Sequence, residues 1–187
     1  MRPILIALML VQCPAGWLAA QAVTPAPLRS ADITFAMRAT KVNDFVGRVD
    51  SGVQARFSGA DLSNVTGSIE FRVRDMNTGI GLRNTHMRNA MRADSFPAIR
   101  FEVVGFIPGT TQGDTVHGMF QGPLTIHGVT HTIRATGWVL PRGTTTEVRA
   151  TFPVDMREYG IEPPTRFLGA IRVDPVTSIT VRLTFGP

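Results

Sequence analysis

The chain has 187 residues, a formal net charge of +5 from 19 Lys and Arg against 14 Asp and Glu, and one cysteine. This length fits a single domain with its own core, and one cysteine excludes a disulfide framework. Nearly all of the positive charge is arginine, and no basic helix or aromatic-interleaved basic patch is present. We therefore expect no nucleic-acid partner. The positive charge either forms a mildly basic, solubilising surface or attracts anionic headgroups.

The N-terminus predicts a secretory signal peptide over residues 1–22. Arg2 supplies a short positive region, Ile4 to Val11 is an apolar run, and Ala20-Gln21-Ala22 offers a small-x-small cleavage pattern. A run of this length is too short to cross a bilayer as a helix. We therefore expect export to the periplasm or secretion, with residues 23–30 as a flexible leader and 31–187 as the folded domain.

Alternation of apolar and polar residues with a period of two predicts about eight strands. In the segment 69–73, for example, Ile69, Phe71 and Val73 share one face while Glu70 and Arg72 share the other. Strands with one apolar face are typical of antiparallel sheets, and eight of them indicate a barrel or a sandwich. In chain order, the predicted strands cover residues 33–39, 68–76, 99–106, 116–126, 130–140, 148–154, 168–173 and 178–185.

Helical signals are few and short. Residues 44–58 are predicted to form one or two helical turns, and 85–92 (THMRNAMR) a helical connection between strands. Glu158-Tyr159-Gly160 is predicted to form a turn.

Two histidines, His127 and His131, stand on either side of Gly128 in the segment PLTIHGVTHTI (123–133). On a helix, this spacing would suit zinc. However, the apolar positions are even before the glycine and odd after it, and a two-residue turn swaps parity in this way. We therefore predict a tight hairpin with His127 at the turn, facing water, and His131 on the apolar side near the end of the sheet. His131 then either makes a local hydrogen bond or is a polar group at the mouth of an apolar cavity.

Catalytic motifs are absent from the sequence: there is no nucleophile elbow, HExxH motif, P-loop or dinucleotide-binding fingerprint. His117 and His127 would lie roughly 30 Å apart on one strand, at about 3.3 Å per residue, and cannot share a metal ion. We expect no catalytic residue, no metal and no cofactor.

Four segments, in this order along the chain, resemble motifs of the YceI-like family of secreted bacterial lipid-binding proteins. They are residues 76–88 (MNTGIGLRNTHMR), 94–102 (DSFPAIRFE), 124–133 (LTIHGVTHTI) and 156–161 (MREYGI). Three positions depart from the family pattern: Asn84 stands where Asp is usual, Tyr159 replaces Phe, and residues 40–42 lack the usual early histidine.

The resemblance implies an all-β fold: an extended eight-stranded antiparallel β-barrel, lipocalin-like, with one or two short helices. It also implies a periplasmic or secreted carrier without catalytic machinery, whose apolar interior holds an isoprenoid lipid such as a quinone or a polyprenyl phosphate. A transient contact with a membrane surface and a homodimer are both left open. The candidate ligand-binding residues are Phe35, Phe71, Val73, Phe101, Phe120, Leu124, Ile126, His131, Phe152 and Val181.

Two other functions stay open from the residues alone. An integral outer-membrane β-barrel would share the signal and the alternation, but its polar side would crowd strand arginines such as Arg72 and Arg149 into a small lumen. An enzyme at the barrel mouth would use His131 or His86 as acid or base. An eight-stranded barrel is also the size at which side chains either fill the interior or leave room for one small ligand. The sequence therefore does not decide whether the interior is open.

Overall fold

The computed structural model describes residues 26–40, 43–59, 62, 64–163, 165–166 and 171–187. The signal peptide predicted over residues 1–22 lies outside these residues and stays a prediction. Within the described residues, eleven strands form one antiparallel sheet in the order β3-β4-β6-β8-β9-β10-β13-β1-β2-β5, with β7 beside β8.

The described residues also form one α-helix, two 3₁₀-helices (η1 and η2) and a second, two-stranded sheet of β11 and β12. The elements are β1 (Leu28–Met37), β2 (Phe45–Val49), β3 (Gln54–Ser58), β4 (Thr66–Arg72), η1 (Val73–Asp75), β5 (Met76–Asn77), α1 (Gly81–Ala90), β6 (Ala98–Val103), β7 (Gly105–Gln112), β8 (Thr115–Ile126), β9 (Val129–Arg142), β10 (Thr145–Asp155), η2 (Met156–Tyr159), β11 (Thr165–Arg166), β12 (Ile171–Arg172) and β13 (Val176–Phe185).

The eleven strands of the main sheet group into eight segments. In three of these segments, a short interruption divides the segment into two consecutive strands. β2 and β3 follow each other between β1 and the next segment, β4 and β5 are joined by η1, and β6 and β7 are separated by Val104. β2 pairs with both β1 and β5, β3 pairs with β4, and Ala26 forms a bridge with Phe57 of β3. The sheet therefore curls back toward its own first strand, and the predicted all-β, barrel-like antiparallel fold is confirmed, with eleven strands in place of the eight predicted.

The core lies inside this curl. Along β10, Val148, Ala150, Phe152 and Val154 are buried and alternate with residues that are more exposed. Each buried valine or phenylalanine side chain contributes about 1.5–3 kcal/mol relative to its exposed state. The alternation read from the sequence is therefore the physical cause of the barrel, since each strand has one face to remove from water.

The prediction of helical turns over residues 44–58 is wrong, because this stretch forms β2 and β3. Gly47 occupies an inward position of β2, where a Cβ would overlap the ring of Phe35. Gly52, with φ +71°, lies at the break between the two strands. Gly47 thus stands where the strand pattern needs an apolar side chain, because the ring of Phe35 from the neighbouring strand fills that space.

Other boundaries differ less. β1 begins at Leu28, inside the stretch predicted as a leader, because Leu28 pairs with Phe185 of β13. Part of the strand predicted over 168–173 lies outside the described residues; of its described end, β12 pairs with β11, and Val173 forms a bridge with Ala39 just after β1. The helix predicted over 85–92 is confirmed as α1, which starts four residues earlier. The turn predicted over 158–160 is confirmed as η2 and Gly160, with φ 67°.

Candidate ligand cavity

A cavity of about 750 Å³ lies between α1 and one end of the barrel. One face of the helix forms its wall, with Arg83, His86, Met87 and Ala90 lining the space. This i, i+3, i+4, i+7 spacing places the four side chains on the same side of a helix. The opposite wall consists of inward side chains from the ends of β1, β2, β5, β6, β8, β10 and β13.

A smaller space of about 60 Å³ continues from this cavity toward the middle of the barrel and is lined only by apolar residues. Six residues line both spaces, so the two adjoin: Phe35, Met76, Ile99, Ile126, Val154 and Ile179. Elsewhere the interior is packed by ring pairs, Phe106 against Phe120 at 4.7 Å and Phe57 against Phe185 at 5.5 Å between centroids. The barrel is therefore filled in one part and open under α1.

Seven of the ten candidate ligand-binding residues line these spaces. Phe35 and Ile126 face both; the other five face only the smaller one and are Phe71, Phe101, Leu124, Phe152 and Val181. Their contact with a ligand stays a prediction.

The other three candidates line neither space. Val73 is buried at the start of η1, where its N–H donates to the carbonyl of Pro97, so the strand's alternation no longer sets its direction. Phe120 is buried against Phe106. His131 pairs with inward-facing Leu124 across the hairpin but is exposed to solvent near the end of the sheet.

The sequence reasoning missed the wall supplied by α1. Met87, Ala90 and Met91 line the cavity, together with Phe45 of β2 and Met156 of η2. The signal that could have found the helical part was the spacing of these residues, which is that of a helix with one apolar face.

A polar network docks the first turn of α1 onto β5. The side-chain oxygen of Asn84 accepts hydrogen bonds from the backbone N–H (2.8 Å) and the hydroxyl (2.7 Å) of buried Thr78. The amide of Asn84 donates to Asn77, which in turn accepts from the N–H of Gly79 and donates to Asp50. An aspartate at position 84 could accept but not donate, so the asparagine is used as both acceptor and donor. Its partners are thus Thr78 and Asn77.

The turn between β8 and β9 consists of His127 and Gly128, since Ile126 pairs with Val129. Their φ angles of 52° and 76° are those of a type I′ turn. The predicted tight hairpin is confirmed, but the prediction that His127 faces water is wrong. Its ring lies edge-on to Phe96 at 4.4 Å between centroids, and Nε2 is enclosed by protein atoms.

Both histidines of the hairpin bind the backbone of η2. His127 Nδ1 lies 3.0 Å from the carbonyl oxygen of Tyr159, and His131 Nε2 lies 3.0 Å from that of Glu158. The His131 ring also lies edge-on to Tyr159 at 5.1 Å. Of the two interpretations of His131, the structure supports the local hydrogen bond. The pair fixes η2, whose Met156 forms part of the cavity wall.

Two titratable groups at η2 have shifted pKa values, for different reasons. Tyr159 is 1% exposed, and burial, together with the nearby charge of Glu158, raises the pKa of its phenol to about 12. Asp155 caps η2 by accepting from the N–H of Arg157, and the hydrogen bonds from the Arg157 side chain and N–H lower the pKa of its carboxyl.

Ionisable side chains are few around the cavity. Among the described residues that line it, Arg83 and His86 are the only ionisable ones and no carboxylate is present. The Arg83 guanidinium carbon lies 4.0 Å from the centroid of the Phe45 ring, and Nη1 donates a long bond, 3.5 Å, to the Thr78 carbonyl.

No three His, Cys, Asp or Glu side chains come together as metal ligands in the described part of the chain. No helix among the described residues has the length and apolar character needed to span a membrane.

A curled antiparallel barrel with an apolar, ligand-sized cavity under a short helix is the class of protein that this fold and site define. The sequence matches the YceI-like domain family over residues 27–185, and the chain belongs to that family. This confirms the resemblance read from the four motifs. The comparison with curated proteins gives no match.

Three solved structures have a similar fold at low sequence identity. BcnA of Burkholderia cenocepacia aligns with a TM-score of 0.68 and 14% identity over 82% of this chain and 95% of its own. A polyisoprenoid binding domain from Saccharophagus degradans, implicated in plant cell wall breakdown, aligns at 0.69 and 17% over 87% and 98%. The Campylobacter jejuni YceI protein aligns at 0.65 and 11% over 79% and 87%.

Proposed function

We propose that this protein is a periplasmic or secreted carrier that holds an isoprenoid-type lipid, a quinone or a polyprenyl phosphate, in the cavity under α1. The observation that carries the proposal is the cavity itself: about 750 Å³, lined mainly by apolar side chains and continued inward by a purely apolar space. Small-molecule sites typically occupy about 300–1,000 Å³ and have such walls. The Saccharophagus degradans domain, named as polyisoprenoid binding, supports the chemical class of the ligand.

The chemistry of the wall suits a branched, flexible chain. Its members include five methionines, whose unbranched and polarisable side chains adapt to irregular shapes. Burial contributes about 0.8 kcal/mol per CH₂, so one five-carbon isoprene unit contributes roughly 4 kcal/mol before the costs of ordering the ligand. A few buried units are therefore enough for stable retention. The five are Met37, Met76, Met87, Met91 and Met156.

The polarity of the barrel favours a carrier over an outer-membrane barrel. Apolar side chains point inward, whereas Arg72 and Arg182 of the strands are exposed on the outside. A transmembrane barrel has the reverse arrangement, with an apolar band facing lipid and a polar lumen. His131, considered for acid–base work at the mouth, binds the backbone carbonyl of Glu158 and lines neither of the two spaces.

Retention of a native lipid tests the proposal. The full chain, with its own leader, would be produced in a Gram-negative host, and the soluble periplasmic fraction would be purified without detergent and examined by native mass spectrometry. We expect an isoprenoid-sized mass increment that organic extraction removes. A protein that carries no lipid, or that requires detergent for recovery, would contradict the proposal.

A matched pair of variants controls for the site. Ala90→Trp places a large ring on the cavity wall, whereas Asn89→Trp places it on the outer face of the same helix. We expect the first variant to lose the bound lipid and the second to keep it, with both folded by circular dichroism. Equal retention by the two would place the ligand elsewhere.

A further inference from the structure

Arg83 has an unusual electrostatic position for a cavity meant for an apolar chain. It is half-buried, its guanidinium stacks on Phe45, and its only hydrogen bond among the described residues is the long one to the Thr78 carbonyl. Among the described residues, Arg83 makes no ion pair. Other arginines there do: six arginine–carboxylate pairs form, including those of the strand residue Arg100. Arg83 thus lines the cavity with most of its guanidinium donors lacking an acceptor in the described part of the chain.

The mouth around Arg83 is apolar. Ile80 and Leu82, on either side of the first residue of α1, line the cavity and are 50% and 68% exposed. A ligand that occupies the cavity will cover this rim and remove Arg83 from water. Covering a cation without a partner is costly, whereas an anion placed beside it compensates the lost hydration and accepts charge-assisted hydrogen bonds.

We infer that the cavity selects isoprenoids with an anionic phosphate headgroup, and that Arg83 binds this headgroup at the mouth while the chain lies inward. The inference rests on the proposed function, because it assigns the headgroup of the same ligand. Guanidinium suits phosphate because its planar donors match two phosphate oxygens at once. The stack on Phe45 holds the plane in place before the ligand arrives.

Two probes that share one chain and differ only in headgroup test this: farnesyl phosphate and farnesol, titrated into delipidated protein by calorimetry. We expect the phosphate to bind about ten-fold or more tightly than the alcohol, since one charge-assisted contact contributes about this factor. Arg83→Gln should lose about ten-fold in affinity for farnesyl phosphate and change that for farnesol by less than about two-fold. Arg83→Lys, which keeps the charge without the fork, should fall between the two.

Arg88→Gln is the matched control, because Arg88 belongs to the same helix but lines a separate cleft on its other side. It should leave both affinities unchanged, and thermal melting of each variant would establish that it is folded. If neither probe binds wild-type protein, the proposed function fails. If both bind equally, if a short-chain quinone binds more tightly than the phosphate, or if Arg83→Gln changes neither affinity, the headgroup inference is overturned while the carrier function stands.

Discussion

Replacing His127 and His131 by alanine, one at a time, compares what each histidine contributes to stability. The two bind neighbouring carbonyls of the same short helix but differ in burial. His127 lies edge-on to Phe96 and has an enclosed Nε2, while His131 is exposed to solvent. Because solvent competes for the contacts of an exposed ring, His127→Ala should destabilise the protein more than His131→Ala.

The magnitude follows from the contacts that each ring makes. His127→Ala removes a hydrogen bond to Tyr159 and an edge contact with Phe96, each worth about 1 kcal/mol, so about 2 kcal/mol in total. His131→Ala removes the same two kinds of contact at the surface, each at about 0.5 kcal/mol, so about 1 kcal/mol. For a domain of this size, the expected fall in Tm is roughly 4–8 °C for the first and 2–4 °C for the second.

Guanidinium chloride unfolding of lipid-free protein would measure both changes. His127→Asn adds a useful comparison, because asparagine favours the left-handed conformation that a type I′ turn requires but lacks the ring. We expect it to be less stable than wild type and more stable than the alanine variant. If His131→Ala costs as much as His127→Ala, burial does not decide the contribution. If His127→Asn is as stable as wild type, turn geometry alone accounts for the stabilising effect of His127, and its ring contacts with η2 and Phe96 contribute nothing.

Three further predictions concern packing and ionisation. Gly47→Ala should cost about 1–3 kcal/mol in chemical unfolding because its Cβ would overlap the buried ring of Phe35, whereas Gly81→Ala, which meets nothing within 4 Å, should stabilise α1 by about 0.5–1 kcal/mol. Tyr159 is the only tyrosine, so an ultraviolet titration should show its phenol ionising near pH 12 in the native protein. Because the phenol ionises near pH 10 in the unfolded state, stability should fall as the pH rises above about 10; native ionisation near 10 would contradict its burial. The lowered pKa of Asp155 implies a contribution that is present above about pH 4 and lost as the pH falls through the native pKa. As the pH is lowered from about 5 to 3, the Tm of Asp155→Asn should therefore fall by less than the Tm of wild type. An equal fall in both proteins would refute the role of that carboxylate.

The barrel could be predicted because most strands carry their own alternation. The strand β2 was missed because its middle inward position is a glycine, which interrupts the alternation between Phe45 and Val49. Gly47 is inward in β2, yet the volume it leaves is filled by Phe35 from β1. A pattern that counts apolar residues along one strand does not register a side chain supplied by its neighbour.

Site residues were predicted correctly where side chains alternate regularly between the two faces of a strand, and wrongly where this alternation is interrupted. Leu124 and Ile126 lie within a regular strand and face the interior as expected. Val73 begins a 3₁₀ turn, and His127 occupies a turn with positive φ, so neither follows the pleat of the preceding strand. The helical wall was missed because strand faces alone were used to choose lining residues, and its recognition required the spacing of Met87 and Met91.

The interruptions of the strands are distributed unevenly around the barrel. β8, β9, β10 and β13 run for 10–14 residues each, whereas all three breaks fall between β2 and β7, the part of the chain that also holds α1. Short ladders open at lower free energy than long ones, so slow amide exchange should concentrate in the uninterrupted half. A ligand seated beside the interrupted half can then be exchanged by local opening, on a timescale set by that half alone. The release rate of the proposed ligand would therefore be adjustable by mutation without lowering the global stability of the protein.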